Sequence, residues 1–259
     1  MKNNIYLLLL FLLTFSSCVP YKNTVYMQGE MQEKEKENLV YKVKKNDILY
    51  IQISSSDENV QKIFTQSAQT VGNQNINNQN LYFRGYIVDK EGFVALPFLG
   101  KISVAGLSFE EIKTSITKAL LNKNFKSTDN IFIKVKLAGV PYTILGEVKN
   151  PQVGVIYKEN PSLFDVIAAS GDITQVGNRK EVLVIRKENG KDVKALVDLT
   201  SANSINSPYF YIRPNDIVYV QPLRQKSLGT GTTLLQTLRD TVMALSLISS
   251  IILLAKYSK

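Results

Sequence analysis

A few carboxylates, one thiol and the lack of any imidazole set the chemistry open to this chain. Two of the acids sit in a stretch written twice, VKKNDILYIQ at residues 43–52 and IRPNDIVYVQ at residues 212–221, so Asp47 and Asp216 hold the same place in two copies. Two more, Glu110 and Glu111, are adjacent, and Cys18 is the only cysteine. With no His in 259 residues, Ser-His-Asp and Cys-His catalysis and His-ligated metals are excluded. One Cys can neither pair within the chain nor build a thiolate metal site. Trp is also missing, which removes the strongest aromatic platform for bases or sugars. Composition leaves Ser-Lys dyads and paired carboxylates open. Glu110 and Glu111, however, fall in the first turn of an expected helix, where acids complement the helix dipole. The expectation is no enzyme, no catalytic residue, no metal and no cofactor.

The repeated acids read as architecture. In each copy an Asn-Asp pair precedes an apolar run suited to a buried strand. Asn46 and Asn215 tolerate left-handed backbone, and Asp47 and Asp216 can accept bonds from backbone N–H groups of the turn. These four are expected to be structural turn residues.

The elements around them begin with the two ends. MKNNIYLLLLFLLTFSSC opens with Lys2, continues with an apolar stretch of signal-peptide length, and reaches Cys18 after two serines. This resembles a bacterial lipoprotein signal, apart from Phe15 where Leu is usual. It makes Cys18 the candidate lipidation site, with residues 1–17 removed and the acyl chains holding the protein on a membrane. At the other end, residues 234–255 are 22 in number, about 33 Å of helix and enough for one bilayer crossing. On such a helix Arg239, Met243, Ser246, Ser249 and Ser250 fall near one face. A lone lipid-facing span has no need of that stripe, whereas a helix packed on its own copies or facing water has. A plain anchor helix, its serines bonding their own backbone, is the alternative.

Between the ends, residues 18–38 are polar and charged and read as a tether. Residues 39–137 read as strand, hairpin, helix and strand, interrupted by a Ser-, Gln- and Asn-rich loop at 54–80. Ser108 is the expected N-cap of the helix, with Glu111 completing a capping box. Residues 138–222 form a second unit, with strands near 142–145, 182–186 and 193–198, a helix over 163–169 capped by Ser162 and ended at Gly171, and the second NDI stretch as last strand. Residues 223–259 are linker and terminal helix. The fold class is therefore α+β, two small units followed by a membrane helix. The net charge of +9 comes from scattered Lys and Arg rather than a basic block with interleaved aromatics, so no nucleic acid is expected.

Several short patterns together resemble the polysaccharide biosynthesis/export family of outer-membrane lipoproteins (Wza-like). The family's export domain opens with a tyrosine, an apolar position and a Pro-Gly-Asp turn. Here these are Tyr41, Val43 and Lys45-Asn46-Asp47, and the second copy keeps the proline as Pro214. DKEG at 89–92, LPFLG at 96–100 and VAGL at 104–107 follow in the family's order. The second unit resembles a soluble-ligand-binding β-grasp (SLBB) domain through LGEV at 145–148, Asn150-Pro151 and LFDVIAASG at 163–171. It departs where Ser170-Gly171 replaces a double glycine and Asp172 follows.

The resemblance implies an outer-membrane, lipid-anchored ring, typically an octamer, with a periplasmic body. It implies a pore of C-terminal helices lined by the 239–250 stripe. It also implies a capsular or exopolysaccharide as substrate and an inner-membrane polysaccharide co-polymerase or tyrosine kinase as partner. The competing expectation is a lipid-anchored periplasmic SLBB module that binds a polymer, polysaccharide or DNA, without forming the pore itself.

Overall fold

The structure is a computed structural model. It describes residues 20–32, 40–55, 85–123, 125, 131–188 and 190–227, with positions 239, 242, 243, 245–247, 249, 250, 254 and 257 of the C-terminal segment. Both sheets and helices are present, so the chain is α+β.

The first unit holds β1 (Ile48–Ser54), β2 (Tyr86–Ile87), β3 (Phe93–Leu96), β4 (Gly100–Ser103), α1 (Phe109–Leu121) and β5 (Phe132–Leu137). β1 lies between β2 and β5 in an antiparallel sheet, and β3–β4 form a separate hairpin. α1 starts where the sequence places it. Ser108 Oγ accepts from Glu111 N–H, and the Glu111 carboxylate accepts from Ser108 N–H at 2.7 Å. Ile112, Ile116 and Leu120, four residues apart, are buried against Val43, Leu49, Val94, Val104 and Val135. Gly92 lies at φ +96, and a Cβ there would meet that of Ala105 at 2.8 Å, so this turn requires glycine. The expected polar loop at 54–80 begins inside β1, and from residue 56 it lies outside the described residues.

β6 (Val140–Gly146), β7 (Gln152–Ile156), α2 (Leu163–Ala169), β8 (Gly177–Glu188), β9 (Lys191–Val197) and β10 (Asp216–Pro222) make the second unit. The sheet order is β7-β6-β10-β8-β9. β6 and β10 pair in parallel and every other pair is antiparallel. First and last strands side by side at the centre, with one helix after the first hairpin, is a β-grasp arrangement. Ser162 and Asp165 cap α2 reciprocally. Val166, Ile167, Ile144, Val184 and Val218 are buried in its core.

Three sequence expectations are corrected. β7 was not foreseen, because Gly154 interrupts QVGVI; a Cβ there would meet the Tyr142 hydroxyl at 2.6 Å, so the ring of the paired strand needs that gap. β8 is longer than 182–186, running from Gly177 to Glu188. The tether at 18–38 is, over its described part 20–32, a docked strap. Met27 and Gln28 N–H donate to Leu199 and Thr200 carbonyls, Ala202 N–H donates to Gln28 O, and Gln32 N–H donates to Asn203 Oδ1.

The terminal helix expected over 234–255 falls largely outside the described residues. Among those described, no helix is long and apolar enough to cross a membrane.

Candidate functional site: the paired turns at the junction

β5 runs into β6 through Ala138 and Gly139. Ala138 N–H donates to Ile48 O (2.8 Å), the first residue of β1. Gly139 has φ +132, and a Cβ on it would lie 2.4 Å from Val155 Cγ1. Register then brings both NDI stretches to this junction, since Leu49 pairs with Leu137 and Asp216 with Tyr142.

The two turns share one backbone. Asn46 has φ 68 and Asn215 φ 67. Asn46 N–H donates to Val88 O, and Asn215 N–H to Pro141 O. Asp47 N–H reaches back to Lys44 O, and Asp216 N–H to Arg213 O. In return Asp47 Oδ2 accepts from Lys44 N–H (2.7 Å) and Asp216 Oδ2 from Arg213 N–H (2.8 Å). The acid closes the turn while Asn supplies the left-handed bend.

They differ in what meets the remaining charge. At the first turn it is a phenol: Tyr41 Oη donates to Asp47 Oδ2 (2.7 Å), and its ring stacks with Phe109. Burial pushes the Asp47 carboxyl above its ordinary range, against the lowering effect of bonds from Lys44 and Tyr41. Burial, then the Asp47 charge, drives the Tyr41 hydroxyl far upward; Arg213 pulls it down slightly and Asp216 pushes it up, so the second turn acts on the first.

At the second turn the partner is a guanidinium. Arg186 Nε donates to Asp216 Oδ1 (3.0 Å) and Nη2 to Oδ2 (2.7 Å), with the side chains only 3% and 1% exposed. Nη2 also donates to Tyr211 O and Nη1 to Pro208 O, and the group lies 4.9 Å from the Tyr209 ring centroid. Sequence reading missed Arg186. The available signal was its parity, because Val182, Val184 and Arg186 share the core face of one strand and a cation there needs a partner.

Other sequence candidates are placed as follows. Glu111 caps α1 and Glu110 pairs with Lys113, so the adjacent acids do not converge on a cleft. Cys18 lies outside the described residues. Arg239, Met243, Ser246, Ser249 and Ser250 are helical and exposed. Ser246 Oγ donates to Met243 O, and Ser249 and Ser250 Oγ both donate to Ser246 O, so these hydroxyls bond their own backbone. Asp172, where the resemblance lapses, takes φ +84. Its carboxylate accepts from Ile173 N–H and from the strap's Tyr26 hydroxyl (2.5 Å). Burial and this carboxylate push Tyr26 up to about 12. Tyr26 also packs edge-on against Phe164 and under Arg179, residues that sequence reading had not singled out.

The acids at the junction thus serve turns, and among the described residues no group of three or more His, Cys, Asp or Glu could hold a metal. Residues 35–138, the first unit, match the family model described as polysaccharide biosynthesis/export protein. The family is one of export rather than catalysis, acting at the cell envelope.

Proposed function

We propose that the chain is one subunit of an outer-membrane channel that carries capsular or exopolysaccharide from the periplasm to the cell surface. The observation that carries this is the family match over the whole first unit. In this reading Cys18 is acylated and the second unit is an SLBB domain that helps assemble a ring. The helix over 234–255 joins its copies to form the pore, and an inner-membrane co-polymerase feeds it. Arg239, the sixth residue of that span, gives modest support for a wet helix face, because so near a helix end its long side chain can also reach the interface. The serines weigh less, since their hydroxyls are already bonded to backbone. That pairing favours the second reading, in which the helix only anchors a polymer-binding module.

Planar-bilayer recording on purified full-length protein separates the two. Ser249→Asp should still insert and should shift ion selectivity, while Leu247→Asp should block insertion. If the two variants behave alike, or a chain lacking 234–259 still supports export, the helix is an anchor and the pore reading fails.

A further inference from the structure

The two membrane-directed segments leave the second unit from one end. Pro222, the last residue of β10, pairs with Gly177, the first of β8, and Leu223 N–H donates to Val176 O. The short helix that follows (Arg224–Ser227) is held there by the Lys226–Glu147 ion pair, with Glu147 also accepting from Thr174. The N-terminal strap reaches the same place. Its 3-10 turn, Tyr21–Asn23, packs on β8, and Tyr26 is locked by Asp172 and Arg179. Both NDI turns, and the first unit with them, lie at the opposite end of β10.

Cys18 is two residues before Pro20, which is at most about 7 Å of extended chain. What the strap presents at that point has a distinct chemistry. Tyr21 is 80% exposed. Beside it Lys22, Lys180, Gln28, Gly29, Thr200 and Ser201 line a depression of about 310 Å³, and no acid is among them. Two ammonium groups and the Ser201 hydroxyl around an open hollow suit a phosphate group, while the Gln28 amide donates to the Lys22 and Val25 carbonyls and the Thr200 hydroxyl to Asp198. An exposed phenol next to them suits the polar–apolar boundary of a bilayer.

We propose that this face of the second unit seats directly on the membrane surface, with the hollow taking an anionic lipid headgroup and Tyr21 lying at the interface. The occupant is a lipid because Lys22, which lines the hollow, follows by four residues in sequence the cysteine whose acyl chains would enter the bilayer; the inference rests in this respect on the lipid-anchored reading above. It adds a second contact to acylation, and it fixes the second unit against the membrane rather than on a free leash.

The chain has no Trp, so Tyr21→Trp in full-length protein gives a single fluorophore. The variant is reconstituted into phosphatidylcholine vesicles with or without brominated phosphatidylglycerol, and intact mass reports acylation of Cys18 in the same sample. The proposal expects quenching by the brominated anionic lipid that persists in inorganic phosphate. It expects that quenching to be lost in Lys22→Glu/Lys180→Glu, whose melting temperature should stay at the parent value because both lysines are exposed. Absence of quenching in an acylated sample overturns the docking face and leaves the lipoprotein reading intact. An unacylated Cys18 overturns the premise instead. Release of the quenching by inorganic phosphate shows a free-anion site and overturns seating on lipid.

Discussion

The two NDI turns carry nearly the same sequence and the same backbone, yet their buried acids meet different partners. Asp47 shares its proton-accepting oxygen with a phenol and stays partly protonation-prone. Asp216 sits in a full ion pair with Arg186, closed over by carbonyls and an aromatic ring. The shared part is what a left-handed turn demands locally. The divergent part depends on the neighbouring side chain: β8 brings Arg186 to Asp216, whereas Tyr41, six residues earlier in the same stretch, meets Asp47. A motif therefore specifies its bend, while the neighbour decides what breaking it costs.

The largest expected effect is at the ion pair. Arg186→Ala leaves a carboxylate buried and unpaired, and should cost about 3–5 kcal/mol of second-unit stability in denaturant unfolding. At the first turn, Asp47→Leu leaves the Lys44 N–H and Tyr41 hydroxyl without an acceptor and should cost about 1–3 kcal/mol. Asp216→Leu should cost more, because it strands Arg186; equal losses from the two substitutions would remove the distinction drawn above. Asn46→Ala and Asn215→Ala should each cost about 1–2 kcal/mol, and by the same amount, since both hold one left-handed residue.

The smallest effect is in pH. The folded Asp47 carboxyl binds its proton more tightly than the ordinary value of 3.8. Its contribution to stability is therefore full below that value and is lost as pH rises through the raised folded value. Thermal unfolding of wild type and Asp47→Asn should diverge in favour of wild type as pH is lowered through that window. A difference that runs the other way would mean that the bonds from Lys44 and Tyr41 outweigh burial.

Much of this was legible in the sequence because the signals were local. Ser108 with Glu111 announced a helix start, Gly171 a helix end, and Asn46-Asp47 a bend with an acid turned back on it. What escaped depends on contacts distant in sequence. β7 is hidden by Gly154, whose missing side chain makes room for Tyr142, its pairing partner on β6, a contact that periodicity does not show. The strap looked like a tether because its composition is polar; Tyr26 is fixed by Asp172, 146 residues on. Arg186 needed Asp216, 30 residues on, to make sense.

On this reading Asp216 is architectural and takes no part in moving polymer. That role is tested most directly by replacing the whole pair, Arg186→Met with Asp216→Leu, and measuring polysaccharide at the cell surface. An apolar pair of similar volume removes both buried charges together, and such swaps are often neutral or stabilising. The double variant should fold, recover part of the stability lost in Arg186→Ala, short by the cost of the freed Arg213 N–H, and export at the wild-type level. A double variant that folds and assembles like wild type but leaves the surface bare of polysaccharide would contradict this reading.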